Sequence, residues 1–255
     1  SRAGDGLTEQ SRSARVRLAF SELGTTYIKL GQMLSTRGDL VGWELAEELA
    51  KLQTDVPPDP PEIATALLAA ELGRPVAESF AEFSEVPTAS ASIGQVHHAR
   101  LPDGTPVVVK LQHPGIEDRI LADLDLLRLL AGLAENSEEL KRYQPGAVVS
   151  EFHRSLVREL DFEREERNLQ QFARNFAGDT TVRFPRVFPE LSTNRVLTME
   201  LLAGVSLREP AELDRLPIGR EELARRGATA WMEMIFRDGF YHADPHPGNL
   251  LVMED

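Results

Sequence analysis

Cysteine is absent from the 255 residues. That excludes disulfides, a thiol nucleophile and thiolate metal ligation, and it makes a reducing compartment the default expectation. Long apolar runs are absent too. The most apolar helical stretch, LLRLLAGLA, is too short to cross the hydrocarbon core of a bilayer and carries Arg128. The opening segment SRAGDGLTEQSRSARVRL is polar and charged, unlike a secretory leader. Positive charge is in deficit, with a formal net charge of -13. This argues against a nucleic-acid binder, which needs a basic face, and against simple adhesion to anionic lipid. Lysine is scarce: Lys29, Lys51, Lys110 and Lys141 stand alone, and every other cation is arginine. Such a chain keeps lysine where a compact point charge serves and a guanidinium does not.

What remains is a globular composition, 42% apolar and 27% charged, with room for one large or two small domains and a sizeable core. Residues 11–54 have helical apolar spacing, and the proline-rich DVPPDPPE leads into a helix over PEIATALLAAELG, with Pro61 in its first turn and Gly73 past its end. The pattern then changes to VPTASASIGQV, a small-residue run entering a strand, and to two β-rich runs around PDGT, a hairpin signal. Helices are expected over 115–135 and, as one long rod, over 146–177. FPRVFPEL and RVLTMELL read as strands, and GREELARRGATAWMEMIFRDGF as an amphipathic helix ending at Gly239. This order predicts an α+β fold.

Three stretches carry chemistry. VVVK places Lys110 at the end of an apolar strand after a small-residue loop, and a lysine there needs a carboxylate partner. Glu159, Asp161, Glu163, Glu165 and Glu166 are candidates, although an acid–arginine run is usually a solvated helix face. HADPHPGN separates Asp244 from Asn249 by four residues, the D-x-x-x-x-N spacing of a phosphoryl-transfer loop. In that chemistry the aspartate takes or orients the acceptor hydroxyl and the asparagine holds Mg2+. The alternative is a metal triad of His242, Asp244 and His246 on one face of a strand, which Pro245 and Pro247 disfavour.

Taken together, YIKLGQMLSTR, PTASASIGQVHHARL, VVVKLQHPGI, RELDFEREERN and FYHADPHPGNLL resemble, in order, the motifs of the UbiB-type atypical kinases, the aarF-domain-containing or ABC1-type family. The resemblance implies a protein-kinase-like fold. An N-terminal helical extension would occupy residues 1–75, an antiparallel-sheet N-lobe with inserted helices 76–202, and the start of a helical C-lobe 203–255. It implies a K-x-G-Q segment, Lys29, Gly31 and Gln32, folded over the active site and facing the E-x-D residues Glu159 and Asp161. It implies an alanine-rich phosphate loop, Ala89, Ser90, Ala91, Ser92 and Gly94, with Glu200 and Leu202 completing the nucleotide site. Lys110 paired with Glu165, together with Asp244, would be catalytic, and Asn249 a metal ligand.

The expected cofactors are ATP and Mg2+. The expected partners are the nucleotide and a quinone precursor or lipid, without nucleic acid. The expected location is the cytoplasm, at the inner face of a membrane through segments outside this chain. The resemblance falls short at MED, since no Asp-Phe-Gly follows. The sequence therefore reads as a fragment of a longer protein, and one of low activity by itself. Two rivals are a pseudokinase-like, nucleotide-dependent binding module without phosphoryl transfer, and a small-molecule kinase of the aminoglycoside or choline type. The K-x-G-Q helix speaks against the second.

Overall fold

A computed structural model describes residues 11–53, 56–243 and 247–253. The first helices are set by glycine punctuation and local caps. Helix α1 (Arg12–Leu23) starts where the Ser11 hydroxyl accepts from the Ala14 N–H, and Gly24, at φ 96°, turns the chain into α2 (Thr25–Ser35). Short helices α3 (Gly38–Val41) and α4 (Trp43–Leu49) fold back on α2, and α5 (Pro61–Leu72) runs from Pro61 to a left-handed cap at Gly73. A single turn, α6 (Val76–Ser79), leads into the sheet.

The sheet is antiparallel throughout. Strands β1 (Glu82–Phe83) and β2 (Ala89–Ser90) both pair with β3 (Gly94–Arg100), which pairs with β4 (Pro106–Gln112), which pairs with β5 (Val196–Glu200). The β3–β4 turn falls on Asp103-Gly104, where the aspartate carboxylate accepts from the Thr105 N–H at 2.9 Å. Along β4 the alternation of a strand sends Val107, Val109 and Leu111 into one cluster with Ala64 and Leu68 of α5. Lys110 and Gln112 leave from the opposite face.

Helices α7 (Ile116–Ala134), α8 (Glu138–Lys141), α9 (Pro145–Glu159) and α10 (Phe162–Asn175) separate β4 from β5. A second core joins Tyr27 and Leu30 of α2 to Ile120 and Leu124 of α7 and to Phe152 and Leu156 of α9, so the extension is packed on the inserted helices. Beyond β5, β6 (Val205–Ser206) precedes α11 (Pro210–Leu213) and α12 (Arg220–Met232), and β7 (Leu251–Val252) returns to pair with β6. Among the described residues, no helix is long and apolar enough to cross a membrane.

Two sequence-based expectations are corrected. The rod over 146–177 is two helices, broken between Glu159 and Phe162, because the Asp161 carboxylate caps a new helix by accepting from the Arg164 N–H at 2.9 Å. FPRVFPEL is not a strand. Its backbone makes one isolated bridge, Val187 to Met199, then a 3-10 turn over Pro189–Leu191, since prolines 185 and 189 cannot donate to a ladder.

Gly94 is fixed by strand packing. A Cβ there would stand 2.3 Å from the Leu111 carbonyl oxygen, and backbone cannot retreat as a side-chain tip can. Gly94→Ala is expected to lower unfolding stability by about 1–3 kcal/mol, the usual cost of overpacking a tight site. The urea midpoint checks this, and an unchanged midpoint would refute it.

Candidate functional site

The break in the helical segment decides where its acids go. Gln112, buried at the end of β4, donates its amide to the Leu160 carbonyl and, at 3.2 Å, to the Asn194 carbonyl. The chain end of α9 is thereby tied to the sheet. On one side of the break Glu159 meets Lys29 at 2.5 Å. On the other, Lys110 Nζ donates to both Glu165 oxygens, at 2.7 and 2.6 Å, and lies 5.1 Å from the centroid of the Phe162 ring. The remaining acids have other partners. Asp161 caps α10 and meets Arg167 at 3.1 Å, Glu163 also meets Arg167, and Glu166 accepts from Gln170. Burial, reinforced by Glu163, raises Glu166 above its ordinary carboxylate value.

The K-x-G-Q residues divide between two surfaces. Lys29 faces the site. Gly31 lies against the α4 end, where a Cβ would stand 2.3 Å from Leu52 Cδ1, and Gln32 donates to the Leu52 carbonyl at 3.2 Å. Of the E-x-D pair it is Glu159 that touches the extension.

The alanine-rich loop is a tight turn between β2 and β3, with Ala91 N–H donating to the Gly94 carbonyl at 2.9 Å. His113 fastens it from below. One ring nitrogen lies 2.8 Å from the Ala91 carbonyl and the other 2.7 Å from an Asp59 carboxylate oxygen. Asp59 in turn donates its backbone N–H to Gln95 Oε1 at 3.0 Å, so the proline-rich segment clamps the loop.

Loop, strand lysine and helix enclose a cleft of about 400 Å³, within the range of small-ligand sites. Its walls include Lys29, Ala91, Ser92, Gly94, Lys110, Arg158, Glu159, Asp161, Phe162, Arg164 and Glu165. Ala89 and Ser90 form β2 and stand outside that wall, as do Glu200 and Leu202. The Glu200 carboxylate is taken by the Arg183 guanidinium and, at 3.2 Å, by the Arg186 N–H. Asn249 sits in a 3-10 turn over Pro247–Asn249, just before β7. Asp244 lies outside the described residues, as does His246. The His242 ring packs 6.3 Å from that of Phe172, and no group of three or more His, Asp or Glu that could hold a metal occurs among the described residues.

Residues 51–255 match the ABC1 atypical kinase-like domain. This chain belongs to that family. It is 44% identical over 243 residues to the "Probable protein kinase UbiB" of Marinobacter nauticus, covering 95% of this chain and 44% of that protein. It is 43% identical over 245 residues to the protein of the same name from Pseudomonas paraeruginosa, covering 96% of this chain and 46% of that one. It therefore spans less than half the length of these UbiB relatives. Among solved structures, the complex of Rv3197 with erythromycin from Mycobacterium tuberculosis superposes with a TM-score of 0.63 at 33% identity, over 77% of this chain and 49% of that one. The fold is thus kinase-like, of the UbiB type.

Sequence reasoning passed over Gln112, His113, Asp59, Arg158 and Arg164. The first two follow Lys110 directly, in KLQHP, where alternation gives Gln112 the same face as the lysine; that was the available signal.

The Lys29–Glu159 pair has side-chain exposures of 23% and 42%, so solvent screens it. A double-mutant cycle of Lys29→Met and Glu159→Gln is expected to give a coupling of roughly 1 kcal/mol or less by thermal unfolding. A coupling of several kcal/mol would mean that the ion pair, and not apolar packing, holds the extension.

Proposed function

We propose that this chain is the nucleotide-binding part of a UbiB-type atypical kinase or ATPase and takes Mg-ATP in the cleft between the alanine-rich loop and α10. The observation that supports this most is the Lys110–Glu165 pair, on the wall of the cleft that Ala91, Ser92 and Gly94 also line. Lys110 would hold phosphate oxygens, with Glu165 fixing its ammonium in place. Backbone groups of Ala91, Ser92 and Gly94 would approach the nucleotide, and its base would extend past the cleft wall toward Glu200 and Leu202. Asp244 would accept or orient the attacking hydroxyl. Asn249 offers an amide oxygen, a hard donor of the kind Mg2+ prefers; the ion would neutralise phosphate charge.

On this reading the division at about residues 75 and 202 separates extension, N-lobe and the start of the C-lobe. The Lys29–Glu159 contact beside the cleft favours a small acceptor, or water, over a protein substrate. A quinone precursor or membrane lipid as partner, and a cytoplasmic place at the inner membrane face, rest on the resemblance to UbiB proteins alone.

Calorimetric titration of Mg-ATP and Mg-ADP tests the proposal, on this chain and on one extended to the length of its relatives. Binding that Lys110→Ala weakens by roughly tenfold or more is the expected outcome, as for loss of a charged hydrogen bond. Absence of binding to both chains would overturn it. Binding without turnover, unaltered by Asp244→Asn, would point to a nucleotide-dependent binding module.

A further inference from the structure

Four cations line the cleft, and they are not equivalent. Lys29 is paired with Glu159 and Lys110 with Glu165, while the charge of the third acid on the wall, Asp161, is met by Arg167. Arg158 and Arg164 remain. Their side chains make no hydrogen bond and no ion pair among the described residues, although carboxylates outnumber cations by 41 to 28 in the chain. Neighbouring arginines on the same helices behave differently, since Arg154 meets Glu151 and Arg167 meets both Asp161 and Glu163. The wall thus carries two guanidiniums with no hydrogen-bonded or ion-paired partner among the described residues, Arg158 acting on Glu151 only at longer range, in a protein of net charge -13.

Arg158 is in the last turn of α9 and Arg164 in the first turn of α10, one on each side of the break, so the same kink that aims Glu159 and Glu165 brings both to one cleft. A guanidinium is a planar fork suited to two oxygens of a phosphate.

We infer that Arg158 and Arg164 form an anion-recognition site for one phosphate group beyond those held at Lys110. This rests on the Mg-ATP reading for its neighbour but on its own observation for the site. The phosphate has two possible sources: the terminal group of a nucleoside triphosphate, or a phosphate carried by a second small substrate.

Arg158→Gln, Arg164→Gln and the double variant separate the outcomes, with thermal unfolding as a control; both side chains are exposed and unpartnered, so stability is expected to hold. The probes are Mg-ATP, Mg-ADP, inorganic phosphate added to the Mg-ADP complex, and inorganic triphosphate alone. Loss of roughly tenfold or more in Mg-ATP affinity per arginine, with Mg-ADP unchanged, assigns the terminal phosphate. Unchanged Mg-ATP and Mg-ADP affinities with loss of phosphate binding to the Mg-ADP complex assign the second substrate. Both outcomes sustain the site. Equal affinities for every probe in wild type and double variant overturn it while leaving the Mg-ATP reading intact. Should wild type bind neither nucleotide, that reading fails, and inorganic triphosphate decides: binding that the double variant loses sustains the site, and binding unaffected or absent overturns it.

Discussion

The carbonyl of Leu160 has no helical partner ahead of it, and the side-chain amide of the buried Gln112 donates to it. Most of the site depends on that one bond and on its companion to Asn194. A straight helix through residues 146–177 would place Glu159 and Glu165 about 9 Å apart along the axis and on different faces. One could reach the extension or the strand lysine, but not both in the observed way. With the helix stopped at Leu160 and restarted by the Asp161 cap, the two acids take separate partners on the wall of one cleft. Gln112 lies two residues after Lys110 on β4, so the strand that presents the lysine also sets the break that aims its carboxylate.

The architecture was largely legible because it follows from periodicity and punctuation. The Asp103-Gly104 turn, Pro61 and Gly73 at the ends of α5, and the alternation of β4 all have short-range causes. In both misreadings apolar content outweighed the signal for a break. EFHRSLVRELDFEREERN keeps apolar residues at helical spacing across the break, and the single local signal against a continuous rod is Asp161, a residue that favours caps over helix interiors. The break is fixed by two bonds together: the Asp161 cap, which is local, and the donation from Gln112, 48 residues earlier, to the Leu160 carbonyl, which is not. Likewise FPRVFPEL has the apolar content of a strand, but its ladder donors are missing at two prolines.

The site was legible in part for the same reason. Lys110 announces itself as a rare lysine closing an apolar strand, yet the run of acids after it gives no local reason to choose Glu165. The choice is made by the register of α10 against the sheet, with Phe162 buried beneath the lysine. The role of His113 was equally hidden. Its two contacts join residues 59, 91 and 113, which only the folded hairpin brings together.

The extension illustrates how packing and charge divide the work. Tyr27 and Leu30 are each 7% exposed, and Phe20, Met33 and Leu34 are packed against the same core. Burying one large apolar side chain contributes roughly 1.5–3 kcal/mol, whereas an exposed ion pair contributes at most about 1 kcal/mol. The apolar face of α2 therefore holds the extension, and Thr26 adds a hydrogen bond to Asp123 of α7. The Lys29–Glu159 pair is the weak contact at its edge. Loss of that pair would free two long side chains and leave the apolar packing of the helix in place. In an extension attached mainly by charge, release of the pair would release the helix.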